Sequence, residues 1–278
     1  MSGKQPSIVV GLNAVIVALT DGQPRVLTLS LPEGSPIEGG AGVDQGDDRR
    51  TLEALPTGPL DPSGDRTLEL ALRRWVRKYA GLELGYVEQL YTFGDRFRDP
   101  REAEGGPRVV SAAYLALVRE SQPTSGLAAR WRSVYRFFPW EDWRRKRPQV
   151  IDRHIAPALN AWIDECDDPA ERNIRRIRAG VSFGLGESPW DGERVLDRYE
   201  ILYELGLTSE SVRDGSQVGR EVARPQFEKY VGLEMAFDHR RILATAVGRI
   251  RAKIHYRPVV FELMPETFTL LQLSLIHI

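Results

Sequence analysis

The sequence is poor in the residues that build covalent or metal-held frameworks. Of its 278 residues one is cysteine, Cys166. A single thiol closes no internal disulfide and anchors no multi-cysteine zinc site, and Cys166 reads as a small, partly buried side chain. Histidine is scarce, with 4 in the whole chain. His154 stands near Asp152 without a second ligand at i+4, which argues against zinc there. No apolar run approaches the ~20 residues that cross a bilayer, and the start lacks the charged-then-apolar pattern of a secretion signal. The expectation is no membrane and a cytoplasmic location. An excess of one charge is missing too: 38 Lys and Arg face 39 Asp and Glu, net -1. Any pull toward nucleic acid must therefore come from local patches.

What is present is the composition of a folded soluble protein, 42% hydrophobic and 28% charged, long enough for about two domains. Ile8–Leu19 is apolar and β-rich and alternates poorly, which predicts a strand buried on both faces. Asp21-Gly22 signals a hairpin into a second strand. Residues 33–50 are rich in Gly and Asp and read as a long exposed loop without a Walker or G-x-G-x-x-G pattern.

The stretch from Gly58 to Leu82, GPLDPSGDRTLELALRRWVRKYAGL, organises the chain. A Pro/Gly/Asp turn leads into a helix whose apolar face carries Leu68, Leu72, Trp75, Val76 and Tyr79 at helical spacing. Arg66, Arg73, Arg77 and Lys78 crowd the other face, and Gly81 is a stop signal. This layout resembles the Nudix box, G-x5-E-x7-R-E-U-x-E-E-x-G-U with U aliphatic. Arg74 takes the Arg of that pattern, Val76 the aliphatic, Gly81 and Leu82 the closing pair. The Glu positions fall on Arg66, Trp75, Lys78 and Tyr79, and the opening Gly sits early, at Gly58. The resemblance implies a fold whose carboxylates hold Mg²⁺ on a pyrophosphate. Mg²⁺ wants hard oxygen ligands, and here a guanidinium, an indole, an ammonium and a phenol stand in their place. The expectation is a Nudix-like scaffold with no catalytic residue and no metal site.

Leu84–Phe93 and Ala112–Val118 are strand candidates on either side of a loop dense in Arg and Asp. The segment YTFGDRFRDPR…RVVSAAYLALV resembles the Nudix-related transcriptional regulators of NAD metabolism. Guanidinium forks at strand ends suit phosphate oxygens, and carboxylates suit ribose hydroxyls. With the resemblance, Arg74, Asp95, Arg98, Asp99, Arg101 and Arg108 become the candidate ligand contacts. Taken as residues alone, the same loop reads equally as mutual surface salt bridges of little energetic weight.

Residues 119–126 read as a polar hinge. From Leu127 to Glu165 the sequence reads as helical, broken at Pro139 and Pro148, and dense in Trp131, Trp140, Trp143, Trp162 and the run Arg144–Arg147. Stacking on a nucleotide is one use of such a segment; a packed connector or dimer interface, anchored by Trp and Arg, is the reading favoured. Short helices are expected over Ala170–Ala179 and Arg194–Leu205, and loop over residues 208–226.

Met235–Tyr256 reads as a helix with Asp238 as a plausible N-cap. A short strand, Val259–Met264, and a helix from Leu270 follow. This string, R-x-K-I-x-Y-x-P-V-V-F-E-L-M-P-E-x-F-T-L-x-Q-L, resembles the same regulators, where it opens a winged helix-turn-helix. The resemblance gives Thr267, Thr269 and Gln272 to DNA binding, with the recognition helix that would follow absent. The closing LSLIHI is also the in-frame product of CTG TCT CTT ATA CAC ATC, a transposase adapter end, and is expected not to be native; a naturally shortened tail is the alternative.

The combined expectation is an α+β protein: a Nudix-like mixed sheet flanked by helices over residues 1–125, a helical Trp/Arg-rich connector over 126–232, and a partial winged helix-turn-helix over 233–278. The resemblance implies a homodimeric, ligand-responsive transcriptional regulator that binds an NAD-derived nucleotide such as ADP-ribose or NAD, and operator DNA, without a cofactor. One alternative is a Nudix pyrophosphatase with displaced ligands among Asp61, Asp65, Glu69, Glu83 and Glu88. Another is an interaction protein that binds no DNA.

Overall fold

A computed structural model describes residues 8–35, 50–96, 98–122, 129–215 and 230–256. They fall into two compact units: one holds the residues through Ser133 together with Met235–Ala246, the other Val134–Glu234 and Val247–Tyr256. The strand and helix expected over 259–273, with Thr267, Thr269 and Gln272, lie outside the described residues, as do most of the loop at 33–50 and the final LSLIHI.

The first unit is built on one long strand. β1, Ile8–Thr20, is buried without interruption from Gly11 to Ala18, as its non-alternating sequence predicts. It pairs in parallel with β6, Arg108–Leu117, from Ile8↔Arg108 to Val17↔Leu117. Its opposite edge is shared: β4, Thr57–Pro59, takes Gly11–Asn13, and β2, Gln23–Pro32, takes Val17–Thr20. β2 returns through a two-residue turn in which Asp21 and Gly22 both have positive φ, 50° and 69°, the backbone that suits a tight hairpin. β3, Thr51–Ala54, and β5, Tyr86–Phe93, complete the order β3-β2-β1-β6-β5, with β7, Ala129–Ser133, also paired to β2. The result is a mixed sheet with helices beside it, an α+β arrangement.

β7 corrects the helical reading of residues 127–165. Alternation decided it: Trp131 points into the core, while Arg130 and Arg132 point the other way and Arg132 binds Glu53 at 2.6 Å. The density of Trp and Arg had hidden this period of two.

One face of β1 offers Leu12, Ala14, Ile16 and Ala18 to Ala71, Leu72, Val76 and Ala80 of α1, Leu68–Ala80. Each Leu or Val buried there contributes about 1.5–3 kcal/mol. α1 begins where its sequence says. The Thr67 hydroxyl accepts from the Leu70 amide at 3.2 Å, and Gly81, at φ 67°, donates its N–H to the Arg77 carbonyl.

The other face of β1 carries Asn13, fully buried, which meets His239 at the start of α7, His239–Tyr256. The His239 ring fixes its own tautomer. Nδ1 lies 3.0 Å from the Leu55 amide nitrogen and must accept from it. Nε2 therefore carries the proton and needs an acceptor, so the Asn13 carboxamide is turned with its oxygen toward the ring. The opposite orientation would leave Oδ1 buried without a partner.

The second unit is helical and held by buried arginines. It contains a π-type turn at Ile151–Ile155 running into α3, Ala156–Asp164, then α4, Pro169–Phe183, and α5, Val195–Glu204. A short α6, Ser209–Arg213, capped by Thr208, stands where loop is expected; its cap was legible, its length too short to carry a period. Glu141 and Arg198 are both fully buried, 2.5 Å apart, and Arg251 of α7 binds the other oxygen of the same carboxylate.

Candidate functional site

The loop-helix pattern at Gly58–Leu82 is formed, and its details explain its chemistry. Gly58 ends against the indole of Trp75: a Cβ there would sit 1.8 Å from the ring. Only glycine lets β4 run under that side chain, so Gly58 and Trp75 act as a pair. Between α1 and the sheet lies a cavity of about 10 Å³, lined by Leu12, Leu29, Gly58, Leu72 and Trp75 among others. That is room for about one water in apolar walls, far too little for a nucleotide.

Each acid that a displaced metal site would need already has a partner. Asp65, whose side chain is 4% exposed, takes the Arg74 guanidinium on both oxygens at 2.6 and 2.7 Å. Glu69 binds Arg73 one turn on, at 2.9 Å. Glu83 binds Arg77, and the hydrogen bond from that guanidinium holds its carboxyl below the usual range. Asp61 accepts from the Ser63 amide at 2.9 Å, and Glu88 from the Tyr86 hydroxyl at 2.6 Å. Among the described residues no group of three or more His, Cys, Asp or Glu is placed to hold a metal ion. To bind magnesium, these donors would have to give up the arginine, amide or hydroxyl partners they hold.

The Arg/Asp loop between β5 and β6 is ordered by its own side chains. Arg98 is buried; its guanidinium meets Asp238 on two edges, at 2.9 and 2.7 Å, and donates to the Phe93 carbonyl at 3.0 Å. Burial pushes the Asp238 carboxyl up, but the charge and hydrogen bonds of Arg98 outweigh it and leave it below the usual range. Asp99, also buried, caps the short α2, Pro100–Ala103, through the Arg101 amide and holds the Arg101 guanidinium at 2.8 Å. Arg108 donates to the Gly94 carbonyl at 2.8 Å. Asp95 is exposed, with Arg241 at 3.7 Å.

Of the six sequence-derived candidates, Asp95, Arg98, Asp99, Arg101 and Arg108 thus belong to one stretch of chain from β5 to the start of β6, and Arg74 to α1, bound to Asp65. Within the stretch, Asp95, Arg101 and Arg108 keep solvent-facing surface, while Arg98 and Asp99 are interior supports. Sequence reasoning missed Asp238, His239 and Arg241, which reach this unit from far along the chain. The only local signal was charge beside a helix start, read there as a cap.

The tryptophans of the second unit are packed. Trp140 is fully buried and Trp162 nearly so. Trp143 and Trp190 lie 4.4 Å apart, with Arg147 over the first and Arg198 over the second, at 5.6 and 3.9 Å. This ladder is an internal contact of the unit.

No protein-family model matches the chain, and no curated protein matches it. Among solved structures it is similar to NrtR of Shewanella oneidensis complexed with a 27mer DNA, at 18% identity and a TM-score of 0.49, over 96% of this chain and 74% of that one. The NUDIX domain of the same protein, complexed with ADP ribose, is similar at 23% identity and a TM-score of 0.35, over 46% of this chain and 74% of that one. A MutT/nudix family protein from Enterococcus faecalis is similar at 22% identity and a TM-score of 0.35, over 48% of this chain and 46% of that one.

Proposed function

We propose that this chain is a ligand-responsive transcriptional regulator whose first unit holds an NAD-derived nucleotide, such as ADP-ribose or NAD, without cutting it. The observation that carries the non-hydrolytic half is the pairing on α1 and its flanks. Asp65, Glu69 and Glu83 are each bound by an arginine of the helix itself, so a dication would have to displace a cation at every step. In this reading Arg101 and Arg108 meet the phosphates and Asp95 a ribose hydroxyl. Arg98 and Asp99 position the loop from beneath, and Arg74 holds the loop before α1 through Asp65. The DNA-binding half rests on the sequence resemblance after Arg251, with Thr267, Thr269 and Gln272 on the DNA side. Binding of ligand shifts the arrangement of two copies and so their affinity for an operator; paired half-sites ask for paired reading heads.

The test is a thermal-shift titration beside a hydrolysis assay. ADP-ribose or NAD at about 100 times its Kd should raise Tm by on the order of 5 °C, without Mg²⁺ and with no nucleoside monophosphate released. Arg101→Ala and Arg108→Ala should each weaken binding at least tenfold, an effect on the order of one charge-assisted hydrogen bond. Mg²⁺-dependent cleavage would replace this reading with a pyrophosphatase; no shift with either nucleotide would remove the sensor.

A further inference from the structure

We infer that the first turn of α7 forms the back of the nucleotide site, with Arg241 as the positioning residue for Asp95, so that an occupied site steadies α7. The inference deepens the reading above and rests on it. Asp95 is the carboxylate offered to a ribose hydroxyl, and its side chain is 76% exposed on the loop after β5. A carboxylate that swings in water must be immobilised when it binds, and that ordering weakens its hold on a ligand. The chain just before it is already tied. Arg98 donates to the Phe93 carbonyl and Arg108 to the Gly94 carbonyl, at 3.0 and 2.8 Å. The Asp95 carboxylate itself is left to α7, where Arg241 Nη1 lies 3.7 Å from Oδ2.

The helix holds the loop at two points. Asp238 takes the Arg98 guanidinium on both oxygens, at 2.9 and 2.7 Å, and Arg241 reaches Asp95. The Ile242 amide donates to the Asp238 carbonyl at 3.1 Å, so Asp238 is already on the helical path and Arg241, three residues on, shares its side. All four residues lie in the first unit. Charge fixes the register: the exchanged pairing would set Asp95 against Asp238 and Arg98 against Arg241. At 3.7 Å the outer contact is too long for a hydrogen bond. It acts by charge, and so orients the carboxylate without using up the acceptor sites a ribose hydroxyl needs. The coupling is reciprocal. A ribose that orders Asp95 strengthens its hold on Arg241 and slows opening of the helix start. α7 runs on to Tyr256, and the segment given to DNA follows it in the chain.

Calorimetric titration of the full chain with ADP-ribose and with NAD, beside amide hydrogen exchange, tests this. Arg241→Gln keeps the stem of the side chain and should weaken binding about two- to fivefold, the scale of one exposed ion pair. Arg241→Lys keeps the charge and should bind like the wild type. Asp95→Ala should weaken binding too, and Arg241→Gln added to it should cost nothing more. At saturating nucleotide, exchange over the first two turns of α7, residues 239–246, should slow in the wild type and stay unchanged in Asp95→Ala, a readout that needs no change at Arg241. Equal losses from Arg241→Gln with and without Asp95, no rescue by lysine, or α7 amides that ignore a bound nucleotide would each overturn the inference and leave the sensor standing. A wild type that binds neither nucleotide would remove the sensor reading, and the inference with it.

Discussion

The two units use the same pair of groups, arginine and carboxylate, in opposite settings. At α1 the pairs Arg73–Glu69 and Arg77–Glu83 lie at the water's edge. In the second unit Arg198, Arg251 and Glu141 are sealed inside, with the Ser182, Asp191 and Gly192 carbonyls filling the remaining guanidinium hydrogens. Water screens the first set, so its effect is on which ions the helix accepts and little on whether it folds. The second set has no water to fall back on, so each member depends on the others. The difference teaches that arginine content says nothing about role until burial is known.

The largest expected effect comes from breaking the sealed set. Glu141→Ala leaves two buried cations without a counter-charge and should cost about 3–5 kcal/mol, read as a fall in the urea midpoint. Asp238→Asn comes next. It strands buried Arg98 and should cost about 3 kcal/mol, a little less because the Phe93 carbonyl remains. This pair also sets a pH dependence. A carboxyl held low in the folded state stabilises fully above its unfolded pKa, about 3.9, and loses that contribution as pH falls through the lower folded value. Unfolding followed below about pH 4 should show the loss in the wild type and its absence in Asp238→Asn. The smallest effect is Glu83→Gln, just past the end of α1, which should leave the urea midpoint unchanged. A drop comparable with that of Glu141→Ala would erase the distinction between the two sets.

What the sequence made legible follows the range of the forces involved. α1 was readable from end to end because its cap, its stripe and its stop are all within a few residues of one another. β1 was readable from its unbroken apolar run, and the turn at Asp21-Gly22 from its backbone demands. The candidate loop was half legible. The local pattern showed arginines beside acids, but the partner of Arg98 is Asp238, 140 positions away, and nothing near Arg98 announces it. The same holds for Met235–Ala246, whose place in the first unit depends on Asn13, Glu53 and Leu55. β7 was misread because five residues are too few to establish a period against a background of Trp and Arg.

The imidazole of His239 has a consequence for anyone labelling the protein. Its only free lone pair is committed to the Leu55 amide, and none of the ring reaches solvent. An acylating reagent for neutral imidazole would find nothing to attack in the intact sheet. Its slow appearance as an adduct, followed by mass spectrometry, would time how often that face of the first unit comes apart, and so provide a built-in clock for local opening.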